Sequence, residues 1–190
     1  NSISKLDNFA ILSPLSDNPL YPNYRTNSSE ILKDDGKSIS NVEEIDGYSM
    51  IINKDCFDDN FFFDEKFFMY LENNDLCKRS RDKGDLIYVV PKSKINHLAA
   101  KAVDNKYAEE IEYSRNWHWM WSKFYFNKKH YGFLKAFLEG FPRYCSSLVK
   151  FLFYLLINNK KKKKIYFNRA SGFYNAFLGK TSWYRPNLDN

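Results

Sequence analysis

The feature that most constrains the fold of this chain is the uneven distribution of charge along its 190 residues. Residues 1–100 carry 12 basic and 17 acidic side chains, whereas residues 101–190 carry 17 basic and only 6 acidic ones. A uniform globule does not sort its charge in this way, so we expect two regions with different surroundings. Aromatic residues make up 18% of the chain, which excludes a disordered protein. No apolar run in the sequence reaches the ~20 residues that a membrane-spanning helix needs.

Short apolar runs and helix signals alternate in the first region. Residues 9–14 predict a buried strand that ends at Ser-Pro, and residues 47–52 form a β-rich run after a glycine. Good helix formers fill residues 72–83, and Gly84 is a helix stop. The apolar run 85–90, bounded by Gly84 and a proline, predicts another strand. This order of elements indicates an α/β fold.

Two carboxylates at the start of the predicted helix are candidates for acid–base chemistry. Glu72 and Asp75 are three residues apart, so they share one helix face, and Arg79 lies one turn beyond Asp75. A carboxylate on such a face can take a proton from a hydroxyl nucleophile if the face opens into a cleft. The alternative is structural: acidic residues that complement the helix dipole, and a salt bridge between Asp75 and Arg79.

His97 follows the strand at residues 85–90, in the type of loop where α/β proteins bind ligands. Its imidazole could bind a divalent metal or contact a phosphate, and the alternative is an ordinary surface histidine.

The cysteines and the first residue bear on the setting of the protein. Cys56, Cys77 and Cys145 form no Cys-x-x-Cys pair, which favours a reducing, cytosolic setting over a zinc site or a disulfide framework. The chain begins at Asn1 without a signal peptide, so we expect the numbering to begin inside a longer protein.

Taken in order, these elements resemble family 2 glycosyltransferases. The resemblance rests on Gly47-Tyr-Ser-Met-Ile-Ile, Phe63-Asp-Glu-Lys-Phe-Phe-Met-Tyr-Leu-Glu-Asn-Asn-Asp-Leu-Cys-Lys-Arg, Gly84, Val90-Pro and His97. It covers residues 8–105 and is closest to the rhamnosyltransferase-like branch that builds bacterial surface polysaccharides or lipopolysaccharide. The tail, with Arg115-Asn-Trp and Arg169-Ala-Ser-Gly-Phe-Tyr, is similar to the C-terminal extension of that branch.

The resemblance implies a GT-A fold and the transfer of a sugar from a nucleotide-sugar donor to the hydroxyl of a glycan or lipid-linked acceptor. The catalytic base in such enzymes comes from a Glu-Asp pair at the start of the acidic helix, where this chain has Glu72 and Asn73. An amide cannot accept the proton, so the resemblance implies Glu72 as base and Asp75 as second choice, with Asn73 and Arg79 in support.

The resemblance also implies a divalent metal, Mg²⁺ or Mn²⁺, with His97 as one ligand, and a donor and acceptor cleft lined by Gly47, Tyr48 and Ser49. The Asp-x-Asp motif that holds the metal in this family does not occur in the 190 residues. We therefore expect the chain to be the C-terminal portion of an enzyme. It would hold the base and the acceptor side, and it would be inactive without the donor-binding half.

We accordingly expect residues 1–105 to be the C-terminal part of a GT-A domain and residues 106–190 to be a helical, basic extension. An apolar stripe with helical spacing (Phe133, Leu134, Phe137, Leu138 and Phe141) is flanked by basic residues, and five lysines follow it: Lys160, Lys161, Lys162, Lys163 and Lys164. This combination favours an anionic membrane surface, here the cytoplasmic face of the plasma membrane. The alternative is that the stripe packs on the catalytic domain and the lysines are solvated. Nucleic acid ranks third because no known nucleic-acid-binding motif occurs.

A rival from another functional class is a non-catalytic membrane-surface or interaction module with the same fold. The amide at Asn73, where the family has an acid, gives this rival its support.

Overall fold

The computed structural model of the protein describes residues 9–18, 20–26, 39–57, 62–97 and 104–188. The chain is a mixed α/β protein that divides into two compact units. The sheet unit contains Asn1–Asp64 and Glu72–Ala99, and the helical unit contains Glu65–Leu71 and Ala100–Asn190. The chain thus joins the helical unit at residues 65–71 and returns to the sheet unit at Glu72.

A four-stranded sheet lies at the centre of the sheet unit, in the order β3 (Ser40–Asn41), β6 (Leu86–Ile95), β1 (Phe9–Ser16) and β5 (Ile51–Ile52). The two inner strands, β1 and β6, run parallel to each other. The outer strands, β3 and β5, are antiparallel to their neighbours. Ser16 pairs with Ile95, so the carboxyl ends of both inner strands meet at one edge, which we call the carboxyl edge.

Both inner strands continue past the prolines at which the sequence predicts that they end. Pro14 pairs with Val90, and the next residue of β1, Leu15, pairs with Lys94. The prediction of strand ends at Pro14 and Pro91 is therefore wrong. A proline has no N–H to donate, but here the ladder shifts its register around the missing donors and then resumes.

One helix and a small second sheet complete the sheet unit. Helix α1 (Glu72–Asp82) lies where the sequence predicts it, and Gly84 beyond its end has a φ of 90°, in the left-handed region that favours glycine. Strands β2 (Tyr24–Arg25) and β4 (Glu44–Ile45) form a two-stranded antiparallel sheet. The core is mainly aliphatic and includes Ile11, Leu15, Ile45, Leu76, Ile87 and Val89.

The described part of the helical unit contains three α-helices, α2 (Ala108–Tyr131), α3 (Phe133–Leu156) and α4 (Lys160–Phe177), and a 3₁₀ turn at Asn105–Tyr107 precedes α2. The helix-compatible stretch at residues 107–157 is broken at Gly132, which has a φ of 88°, whereas Pro142 lies inside α3. The core is mainly aromatic and includes Phe67, Trp117, Met120, Trp121, Phe124 and Phe173. None of the described helices is both long and apolar enough to cross a bilayer.

Helices α2 and α4 approach each other closely at one glycine. A Cβ atom placed on Gly172 would collide with the backbone carbonyl of Trp117. Residue 172 must therefore be glycine for α4 to pack against α2 as it does.

Candidate functional site

Asp75 is fixed inside the sheet unit by an ion pair. Its side chain is completely buried, and its Oδ2 atom accepts a hydrogen bond of 2.9 Å from Nε of Arg79. The same guanidinium also donates to the backbone carbonyl of Phe62. The carboxylate of Asp75 therefore anchors α1 through its ion pair with Arg79.

Glu72, the first residue of α1, lies in different surroundings. Its Oε2 atom is buried and has no hydrogen-bond partner within the described residues. The amino end of a helix attracts negative charge, and a buried carboxylate oxygen normally finds a donor. Of the two predicted carboxylates, Glu72 is thus the one with an oxygen left to accept a proton.

The two residues before Glu72 have an unusual backbone conformation. Tyr70 and Leu71 have φ angles of 69° and 68°, in the left-handed region that residues with side chains rarely adopt. The ring of Tyr70 packs edge-on against Trp119, and the hydroxyl of Ser122 donates to the carbonyl of Met69 over 2.7 Å. Contacts within the helical unit therefore hold the chain in this conformation just before Glu72. Strained backbone of this kind is concentrated at functional sites in proteins.

The amino end of α1 is fixed to the turn that contains Gly47. The amide of Asn73 donates to the carbonyl of Ile45 over 2.8 Å, and a Cβ atom on Gly47 would lie 3.3 Å from Cβ of Asn73. The neighbouring amide of Asn74 donates to Glu44 over 2.6 Å. Asn73 therefore supports the start of the helix, and Gly47 allows the turn to lie close to it.

Tyr48 and His97 form a stacked pair of rings at the carboxyl edge. Their ring centroids are 4.1 Å apart and the planes differ by 5°. His97 follows the end of β6 and is exposed. Burial is the largest cause that raises the pKa of the Tyr48 phenol, so the phenol stays protonated at neutral pH. Because Gly47 lies against Asn73 and Tyr48 against His97, the turn brings the start of α1 and the end of β6 to one side of the sheet unit.

Three residues that the sequence does not single out hold this side of the unit together. The fully buried amide of Asn23 donates to Ser13 Oγ over 2.9 Å, and its Oδ1 atom accepts from the backbone N–H of Ser16 over 2.9 Å. The hydroxyl of Ser13 donates in turn to the carbonyl of Ser49 over 2.9 Å. No local pattern marks these residues, because their contacts join different parts of the chain.

Within the described residues, no group of three or more His, Cys, Asp or Glu side chains is arranged to hold a metal ion. His97 offers one exposed imidazole, which fits a single ligand and no more. All three cysteines are free, and burial raises the pKa of Cys77 to about 11, which disfavours the thiolate that a metal would bind.

The five lysines open α4, and two of them are paired within the helical unit. Lys161 Nζ lies 2.8 Å from Glu112, and Lys164 Nζ lies 2.6 Å from Glu110. Lys162 lies over the ring of Tyr154 at 5.1 Å. Lys160 is exposed, whereas Lys163 is half-buried. Positive charge at the amino end of a helix is unfavourable, and the glutamates of α2 offset it.

Comparison with known proteins finds no match: no protein-family model, no curated protein and no solved structure is significantly similar to the chain.

Proposed function

We propose that the chain is the acceptor side of a family 2 glycosyltransferase with a GT-A fold. The enzyme would transfer a sugar from a nucleotide-sugar donor to the hydroxyl of a glycan or lipid-linked acceptor, in the synthesis of a bacterial surface polysaccharide or lipopolysaccharide. The observation that carries the proposal is the buried Oε2 atom of Glu72, which has no hydrogen-bond partner in the part of the chain that the structure describes. The resemblance assigns the base to this position, and ligands of α/β proteins bind beyond the carboxyl ends of the strands.

In the proposed reaction, Glu72 acts as the general base. Its carboxylate accepts the proton of the acceptor hydroxyl while the hydroxyl oxygen forms a bond to the anomeric carbon of the donor sugar. The bond from that carbon to the diphosphate oxygen breaks, and the nucleoside diphosphate leaves with the electron pair. Positioned bases of this kind contribute a factor of about 10² to 10⁴ to the rate.

The neighbouring residues orient the reactants. Asn73 and the ion pair between Asp75 and Arg79 keep the first turn of α1 in place. Gly47, Tyr48 and Ser49 would line the cleft. The stacked rings of Tyr48 and His97 would offer a flat surface there to a sugar ring or a nucleobase. A divalent cation, when bound, would neutralise charge on the diphosphate. His97 would hold it together with Asp-x-Asp carboxylates, which a donor-binding half would have to supply.

The test is sugar transfer by the enzyme that includes its donor-binding half, compared with Glu72→Gln. Gln keeps the size of the side chain but cannot take the proton, so the turnover rate should fall by about 10² to 10⁴ while substrate binding changes little. Asp82→Asn is the matched control because Asp82 lies on the same helix with 57% of its side chain exposed. It should keep the wild-type rate. Transfer by Glu72→Gln at the wild-type rate would show that Glu72 is not the base.

The second candidate is a non-catalytic surface or interaction module. Asn73 supports this second candidate. Its amide stands where family 2 glycosyltransferases have an acidic residue, and it donates a hydrogen bond to the carbonyl of Ile45. No transfer by the wild-type enzyme, with any nucleotide-sugar supplied, would favour this candidate over the enzyme.

A further inference from the structure

Helix α3 carries two apolar stripes that are offset by one residue. The inner stripe packs on α2 and α4, and it includes Phe137, Tyr144, Ser147, Phe151 and Tyr154. The outer stripe is exposed, with 37% to 69% of each residue accessible to solvent. It consists of Leu134, Leu138, Phe141, Leu148, Leu152 and Leu155.

The outer stripe forms one continuous face. Its members recur at intervals of three or four residues, apart from the half-buried Cys145 at one position, so they follow one side of the helix for about 30 Å. The end of α3 and the turn after it continue the apolar surface, since Leu156 is 84% exposed and Ile157 is 54% exposed. Contiguous apolar surface of this extent marks a site of interaction.

The charge around the outer stripe indicates what kind of partner covers it. From Phe133 to Phe177 the chain has nine basic residues and one acidic residue, Glu139. A second copy of the chain would bring the same positive charge to the face and be repelled. An anionic bilayer offers both an apolar interior for the leucines and opposite charge for the lysines.

We infer that α3 lies in the plane of an anionic bilayer, with its outer stripe and the turn at residues 156–159 in the lipid interface. Lys160 and Lys162, at the start of α4 just after that turn, would contact lipid headgroups. Lys161 and Lys164 hold α4 to α2 through Glu112 and Glu110, and they contribute less to membrane binding. The inference rests on the proposed function only in making the membrane the place where a lipid-linked acceptor is met.

The test is co-flotation of the 190-residue chain with vesicles. Wild type should bind vesicles that contain phosphatidylglycerol and should bind vesicles of pure phosphatidylcholine more weakly. The double variant Leu152→Gln, Leu156→Gln should bind the anionic vesicles at least about tenfold more weakly, because two large apolar side chains are removed. The matched control is Leu20→Gln, Tyr21→Gln, since these residues of the sheet unit are 82% and 75% exposed. It should bind as wild type does.

The lysines at the start of α4 provide a second test of membrane binding. Lys160→Gln and Lys162→Gln should each weaken binding at low salt by about fivefold, and Lys161→Gln should weaken it less. Circular dichroism and thermal unfolding would show that each variant keeps the wild-type fold, as expected for substitutions of exposed residues.

Three results would overturn the inference. They are no binding of wild type to anionic vesicles, equal binding by the double variant, and a lipid-free dimer in sedimentation that the double substitution dissociates. The last result would assign the outer stripe to a second copy. Vesicle binding is measured without turnover, so its failure is distinct from a failure of sugar transfer.

Discussion

The two units of this chain bury different kinds of side chain. The sheet unit has an aliphatic core, and it pairs the buried Asp75 with the half-buried Arg79 on the helix that begins at the candidate base. The helical unit has an aromatic core, and its most deeply buried titratable group is His118. The sheet unit therefore has the polar side chains that a catalytic site needs. The helical unit has the exposed apolar surfaces that binding to another molecule or a membrane needs.

Residues 65–71 belong to the helical unit, although in the chain they lie between two parts of the sheet unit. Phe67 packs on Trp121 and Tyr125 in the aromatic core, and Ser182 donates to the carbonyl of Lys66 over 2.7 Å. The chain leaves this segment directly into Glu72. Contacts within the helical unit thus fix the backbone of the residues that precede Glu72 in the chain.

The largest effect on stability is expected when the ion pair between Asp75 and Arg79 is broken. Asp75→Ala removes the buried carboxylate and its charged hydrogen bond, and it should lower the free energy of unfolding by about 3 kcal/mol. Hydrogen exchange should increase in the sheet unit first. Asp82→Ala is the control, since Asp82 forms an i,i+4 pair with Lys78 on the same helix but is 57% exposed. It should cost less than about 1 kcal/mol. Equal losses would show that burial does not distinguish the two pairs.

His118 gives the helical unit a dependence on pH. Burial lowers its pKa to about 4, and Nε2 donates to the carbonyl of Tyr184 over 2.9 Å, while the buried Nδ1 atom has no partner among the described residues. The unfolded chain takes up the proton near pH 6.5 and the folded chain only near pH 4. Stability should therefore fall as the pH is lowered between these values, by about 3 kcal/mol in total.

Urea unfolding at a series of pH values measures this effect. The variant His118→Gln cannot titrate, so its stability should fall less steeply than that of wild type over the same range. Equal slopes for the two proteins would show that His118 does not titrate in this way.

The smallest of these effects concerns the packing of α2 and α4. Gly172→Ala places a methyl group against the carbonyl of Trp117 and should lower the free energy of unfolding by about 2 kcal/mol. Ser146→Ala, at an exposed position of α3, should change it by less than about 0.5 kcal/mol. Thermal unfolding of both variants compares them. An unchanged stability of Gly172→Ala would mean that the helices can separate without cost.

Local signals in the sequence predict local features of the fold. Helix α1 and the left-handed Gly84 follow from helix formers bounded by a stop residue, and the pair of Asp75 and Arg79 follows from its i,i+4 spacing. The continuation of β1 and β6 past their prolines depends on pairing between distant strands. No residue near either proline signals it.

The same limit applies to the surfaces. Periodicity marks an apolar face on α3, but it cannot show that Phe137 lies on the packed side while its neighbour Leu138 is exposed. The ion pairs of Lys161 and Lys164 join residues about 50 positions apart, and sequence spacing does not predict pairs between residues so distant in the chain. The Glu72 oxygen that lacks a hydrogen-bond partner among the described residues likewise becomes visible only in three dimensions.

The central claim is that Glu72 of the sheet unit takes the proton of the acceptor. The most direct test is the steady-state kinetics of sugar transfer by an enzyme that combines this chain with a donor-binding half, for wild type and Glu72→Gln. The variant should lower the turnover rate by about 10² to 10⁴ while KM changes little, because the amide cannot accept the proton of the acceptor hydroxyl. A variant that keeps the wild-type turnover rate would contradict the claim.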